Sequence, residues 1–169
     1  MITSEIIYRS ANGLVDFTIN DQASLRSNWS SSPYFYICVD ATDGLYGSDI
    51  EAETHTIPHA IGERSGDSLR RGKGFSLSGY IEAPHINFLQ DGAAYLQEMF
   101  WDTSLRKLIW KHKTTGTDIY LTTRVVNDID IRGSYSSFNP RWQWSVGLRA
   151  DDPRFRKLSD NSLFFAWQT

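Results

Sequence analysis

The segment Trp142–Ala150 constrains the fold most. Trp142, Trp144, Val146, Leu148 and Ala150 alternate with Gln143, Ser145, Gly147 and Arg149. Successive side chains of a strand point to opposite faces, so this pattern calls for a strand with one face in a core and the other in water. Asp151-Asp152-Pro153 stops it, because proline has no N–H to donate to a sheet ladder. Phe75, Leu77, Ile81 and Ala83 repeat the arrangement and share one face.

Further strands are expected on both sides of this pair. Ile6-Ile7-Tyr8 and Val15–Ile19 flank Asn12-Gly13, a pair that tolerates the positive φ angles of a tight hairpin turn. Tyr34–Val39 reads as a buried strand closed by Asp43-Gly44, and Ile50–Ile57 as another. Leu108–His112 and Asp118–Val126 read as a hairpin around Thr114–Thr117, with Ile129 and Ile131 on a short strand beyond. Ser24–Pro33 reads as a loop. So does the basic segment 62–74, where four Gly, three Arg and one Lys fall in 13 residues.

One helix is expected, at about 87–102. Leu89, Ala93, Leu96 and Phe100 form one stripe. Asn87 suits the N-cap, and Asp91 falls in the first turn, where the helix dipole favours a negative charge. Gly92 costs about 1 kcal/mol relative to Ala inside a helix. The sum is a mainly β (α+β) chain, mostly antiparallel, with one helix covering a face. We expect one domain over 1–153 and a short tail over 154–169. The tail's Leu163, Phe164, Phe165 and Trp167 are expected to dock on this subunit or a neighbour, and no added C-terminal domain is expected.

Composition narrows the partners. The chain has 169 residues, 40% apolar and 22% charged, with a net charge of −3. Proteins that grip nucleic acid through phosphates carry a basic excess, which is missing here. The single cysteine, Cys38, excludes an internal disulfide and lies in the apolar run Tyr34–Val39, which suits a buried thiol better than a nucleophile. No apolar run approaches the ~18 residues that cross a bilayer. The N-terminus lacks the order of a secretory signal. A soluble protein made in a cytoplasm, without membrane partners, is expected.

Several strings were tested for chemistry. Gly66-Asp67-Ser68-Leu69 spells the serine signature of the GDSL esterases, which draw their base from a late Asp-x-x-His; this sequence has none, and its last histidine is His112. Gly66–Gly74 resembles a phosphate loop, but five residues separate Gly66 from Gly72 and Gly74 stands where Ser or Thr would bind magnesium. His55 and His59, with Glu53 or His85, would make an incomplete zinc set on extended chain. Glu51 with Glu53, Asp128 with Asp130, and Asp151 with Asp152 read as hydrated acidic faces. We expect no enzyme, no cofactor and no metal. What remains is a β domain rich in Tyr, Trp and Arg, residue types enriched where copies pack together.

Residues of about 34–155 resemble the N-terminal domain of phage distal tail proteins. The likeness rests on three features in order. The first is the basic segment running into a glycine-bearing strand, Arg70-Arg71-Gly72-Lys73-Gly74-Phe75-Ser76-Leu77-Ser78-Gly79-Tyr80-Ile81-Glu82-Ala83. The second is the Leu/Phe-striped helix leading into a hairpin. The third is the late strand Val146-Gly147-Leu148-Arg149-Ala150-Asp151-Asp152-Pro153-Arg154. The resemblance implies a β-sandwich or split barrel with one helix, assembled as a homo-hexameric ring at the virion tail tip. That ring joins the tail tube protein to the tip or baseplate hub protein, and double-stranded DNA passes its lumen without specific binding. Charge placement then makes Arg64, Arg70, Arg71 and Lys73 candidate inter-subunit contacts, and Glu51, Glu53, Asp128 and Asp130 candidate lumen-facing acids. The alternatives are a tail tube or tail-completion protein of similar fold, or a small carbohydrate-binding β-sandwich module.

Overall fold

The computed structural model describes residues 5–10, 13, 16–20, 34–45, 50–56, 63–70, 72–111, 117–133 and 141–159, with the backbone alone for 50–56 and 63–70. In chain order the elements are β1 (Ile6–Arg9), β2 (Asp16–Ile19), β3 (Tyr36–Asp43), β4 (Ile50–Thr56), β5 (Glu63–Arg70), β6 (Lys73–Glu82), α1 (Ile86–Trp101), β7 (Arg106–Trp110), β8 (Ile119–Val125), β9 (Asp130–Arg132), β10 (Arg141–Ala150) and β11 (Arg156–Lys157).

The main sheet runs β2-β1-β7-β8-β10-β6-β3, with β11 added on β8 and β9 on β10. Every described pairing is antiparallel. The sheet is two halves joined at a narrow corner. β8 and β10 pair only at Leu148↔Val125 and Arg149↔Arg124, whereas β10 and β6 pair over ten residues, Arg141↔Glu82 through Ala150↔Lys73. At the other edge the ladder stays open between β2 and β3. The expected mainly β fold with one helix is present, and the sheet does not close.

Alternation explains the layers. Trp144, Val146, Leu148 and Ala150 of β10 and Phe75, Leu77 and Ile81 of β6 are buried in the same cluster as Ile6, Tyr8, Phe17, Ile19, Leu108 and Leu121 from the other half. Each large apolar side chain taken fully from water contributes about 2 kcal/mol before chain entropy is charged against it. The outer face of the β1–β7–β8 half carries a smaller cluster, Ile7, Ile109 and Tyr120, covered by Leu158. The segment after Pro153 therefore folds back on the sheet, with β11 pairing β8 at Arg156↔Tyr120 and Lys157↔Ile119.

Helix α1 packs Leu89, Gly92, Leu96, Met99 and Phe100 into the core. It begins two residues earlier than the Asn87 cap would place it. His85 holds the N-cap position in extended conformation without a side-chain cap bond, and no acid lies in the first turn, so Asp91 falls in the second. Gly92 has a packing reason: a Cβ there would sit 2.7 Å from Ile81 Cγ2 and 3.2 Å from the Phe35 ring. At the far end the Arg106 guanidinium donates to the Met99 carbonyl at 3.2 Å, satisfying one carbonyl that the helix terminus leaves open.

Within the expected loop 62–74, the described residues are mostly strand. Residues 63–70 form β5, paired with β4 from Ile50↔Arg70 to Thr56↔Glu63, and β6 begins at Lys73. The register shifts between Ala52 and Thr54, so Gly66 and Asp67 together stand opposite Glu53 in a bulge. A strand without apolar alternation carries no period-two signal, which is why the composition of 63–70 reads as a loop. The Ser24–Pro33 reading and the tail's Leu163, Phe164, Phe165 and Trp167 lie outside the described residues.

Candidate functional site

Two polar surfaces stand out. The first is the outer face of β3, β6, β10 and β9. Register places Cys38 beside Tyr80, Tyr80 beside Gln143, and Glu82 beside Arg141. A groove of about 500 Å³ opens here, lined in part by Asp40, Tyr80, Asp130, Arg132, Arg141 and Gln143. Arg141 lies 4.1 Å from the Tyr80 ring centroid, and its Nη2 donates to Glu82 Oε2 at 3.1 Å. Arg132 pairs with Asp130 at 2.6 Å. Cys38 is buried beneath this face, and burial pushes its thiol pKa up against the opposing effect of the Tyr80 hydrogen bond. A thiol held protonated is a poor nucleophile. Among the described residues the lining contains no histidine. Sugar-binding modules stack their ligands on open rings; here Trp144 is buried and Arg141 covers Tyr80.

The second surface is an arginine corner where β8 meets β10. Arg124 Nη2 donates to Asp151 Oδ1 at 2.9 Å, and Arg149 Nε approaches the same atom at 3.9 Å. One residue on, Asp152 binds Arg154 in two-point fashion, Nε to Oδ1 at 2.7 Å and Nη2 to Oδ2 at 2.9 Å. Arg156 Nη2 adds a third bond to Asp152 Oδ2 at 3.1 Å. The Arg154 side chain first, then burial working against it and Arg156 helping, leaves the Asp152 carboxyl at a pKa of about 2. Charge-assisted, two-point bonds of this kind fix a planar guanidinium in direction as well as place. A hollow of about 480 Å³ lined by Asp151, Asp152, Pro153 and Arg154 opens at the corner.

A comparable network braces the turn after the helix. Asp102 accepts from Ser104 N at 2.8 Å, Ser104 Oγ at 2.7 Å and Arg106 Nη2 at 3.0 Å. These bonds, the Ser104 hydroxyl foremost, take the Asp102 pKa down to about 2. Arg106 is buried and stacks 5.5 Å from the Tyr8 ring centroid. Above this brace Trp101 is 84% and Leu105 49% exposed.

The residues singled out from the sequence do not gather at one place. Arg64 and Arg70 lie on β5, and Glu51 and Glu53 on β4; Arg71 lies outside the described residues. Lys73 opens β6 and is 5% exposed, its ammonium 6.0 Å from the Phe155 ring centroid and its pKa lowered by burial. That removes Lys73 from the set open to a neighbour; its long stem lets it lie among apolar groups. Asp128 is exposed between β8 and β9, and Asp130 is held by Arg132. Ser68 sits within β5 opposite Ala52, and His55 within β4 opposite Arg64; His59 is outside the described residues. Among the described residues no group of three or more His, Cys, Asp or Glu comes together, and no helix is long and apolar enough to cross a membrane. Sequence reasoning passed over the corner as a unit. Its local signal was Asp152 followed by Arg at positions 154 and 156.

No family model matches the chain, and no curated protein matches it. Among solved structures it is similar to the Dit protein (gp 19.1) of phage SPP1, a paradigm of the hub adsorption apparatus in phages that infect Gram-positive bacteria. The identity is 12% and the TM-score 0.54, over 73% of this chain and 47% of that one. A chain of the tail of an empty GTA particle with C6 symmetry is more distant, at 14% identity and a TM-score of 0.42, over 76% of this chain and 82% of that one. This chain thus spans about half the length of the SPP1 protein, and the likeness is one of fold.

Proposed function

We propose that this chain is a structural, non-catalytic subunit of a phage tail, set at the tail tip, where copies form a six-membered ring between the tail tube and the tip hub. The observation that carries the reading is the fold shared with the SPP1 Dit protein. The polar surfaces agree with it. Their arginines are engaged by carboxylates of the same chain, an arrangement that builds contact surfaces rather than acid–base pairs.

In this reading DNA passes through the ring without binding. Six copies carry about −18, six times the −3 of one chain, and an acidic wall does not hold phosphates. Glu51 and Glu53 on β4 and Asp128 after β8 are the lumen-side acids, with Asp130 sharing its charge with Arg132. The β4–β5 hairpin, carrying Arg64 and Arg70, followed by Arg71, reaches a neighbouring subunit. Gold-labelled antibody against this chain, applied to intact particles, tests the placement. Label confined to the tail tip is expected. Label on the capsid, or particles without the chain, would overturn it.

A further inference from the structure

We infer that the arginine corner docks on the exposed acidic edge strand β3 of a second copy, giving a head-to-tail contact. The inference rests on the ring reading and adds two contact surfaces to the β4–β5 hairpin already assigned to the boundary between copies.

The corner is built to present cations. Among the described residues, Arg124, Arg149, Arg154 and Arg156 stand around two carboxylates, Asp151 and Asp152, so two positive charges are left over there in a chain whose net charge is −3. The rest of the molecule is correspondingly acidic. The four side chains are between 38% and 54% exposed. Each guanidinium has five N–H donors, and Asp152 engages only two of those on Arg154 and one on Arg156. The aspartates therefore act as a brace. They hold the forks in place, so that less side-chain entropy is lost on contact with an outside carboxylate.

The complementary surface is β3. It pairs with β6 on one side. On its other side the described contacts are those of Asn20, which bonds Ile37 O and Val39 N. Beyond Val39 the strand exposes Asp40 and Asp43, with a register shift between Val39 and Ala41. Neither aspartate side chain has a hydrogen bond or an ion pair among the described residues. Acids and a bulge on an edge strand oppose random strand addition while leaving a negative surface free for cations.

The topology sets these surfaces on different edges. β8 and β10 form the joined corner of the two halves, while β3 ends the opposite, open edge. A contact between two different patches is heterologous, and such contacts close into a ring when the rotation between copies permits.

Charge reversal tests the docking. Arg149→Glu with Arg154→Glu makes the corner acidic; Asp40→Lys with Asp43→Lys makes the edge basic. Each protein alone is expected to sediment as a monomer while still unfolding in one cooperative thermal transition. An equimolar mixture is expected to recover the wild-type assembly, because each reversed surface meets its new complement only on the other variant. Should the corner variant fail to fold, the edge variant and the wild-type response to salt decide: the assembly is expected to dissociate as salt rises toward 1 M. A folded variant that stays assembled, or two monomeric variants that do not combine, overturns this docking and leaves the ring in place. A wild-type chain that is monomeric at every concentration removes the ring reading itself.

Discussion

The side-chain oxygen of Asn20 accepts a hydrogen bond from the buried backbone N–H of Val39 at 2.7 Å. The Asn20 N–H in turn donates to the Ile37 carbonyl at 2.9 Å. These two bonds tie the end of β2 to β3 across the one gap in the sheet. Asn20 is 1% exposed and sits at φ 58, a left-handed conformation that asparagine tolerates better than most residues. Asn20→Ala therefore strands the Val39 N–H and adds backbone strain, and urea unfolding should show a loss of about 2–3 kcal/mol. Asn20→Gly relieves the strain but not the lost acceptor, so it should be the milder of the two. Equal stability for all three proteins would contradict this account of the seam.

Gly79 is required by backbone contact. A Cβ there would lie on the Cys38 carbonyl oxygen and 3.0 Å from Val39 Cα, and neither backbone group can step aside. Gly79→Ala should cost about 3 kcal/mol or more by parting β3 from β6. Gly74→Ala on the same strand meets nothing within 4 Å and should change the melting temperature little. The pair gives its own control, since a similar effect at both sites would mean that close approach is not the cause.

Stability should fall in acid over a defined range. Asp102 and Asp152 both have folded pKa values of about 2, lowered by hydrogen bonds from Ser104 and Arg106 and from Arg154 and Arg156. An unfolded aspartate titrates near 3.9. The contribution of each is complete above about pH 4 and is lost as pH falls toward 2, because the unfolded chain takes up the proton first. Urea midpoints measured between pH 5 and pH 2 should decline across that window. Asp152→Asn should flatten the decline; an unchanged slope would remove Asp152 from the explanation.

Cys38 should resist thiol reagents in the folded protein. It is 2% exposed and its pKa is raised by burial, and reaction needs an accessible thiolate. Labelling should be negligible at pH 8 and reach one equivalent in denaturant. Rapid labelling of the native chain would place the thiol at the surface.

Much of this architecture is legible in the sequence because one face of an element is apolar and the other is not. The strands β6 and β10 and the helix stripe through Leu89, Leu96 and Phe100 meet that condition, and each lies where its pattern puts it. Strand β5 is illegible for the opposite reason: the run Glu63–Arg70 has no apolar alternation, whereas Ile50–Ile57 is legible as the strand β4. Long-range pairings leave no local trace either. The approach of Lys73 to Phe155 joins distant parts of the chain, and the Arg124–Asp151 pair depends on β8 meeting β10. Asp151 and Asp152, read from the sequence as a hydrated acidic face, are instead held by arginines, and only the spacing of Asp152 to Arg154 and Arg156 is local.

The central claim is that copies of this chain close into a ring, and its solution mass tests that most directly. Light scattering on purified protein at low salt should report about 116 kDa, six times the 19.3 kDa chain, with six-fold symmetric rings in averaged electron micrographs. A single species of 19.3 kDa across the accessible concentration range would contradict it.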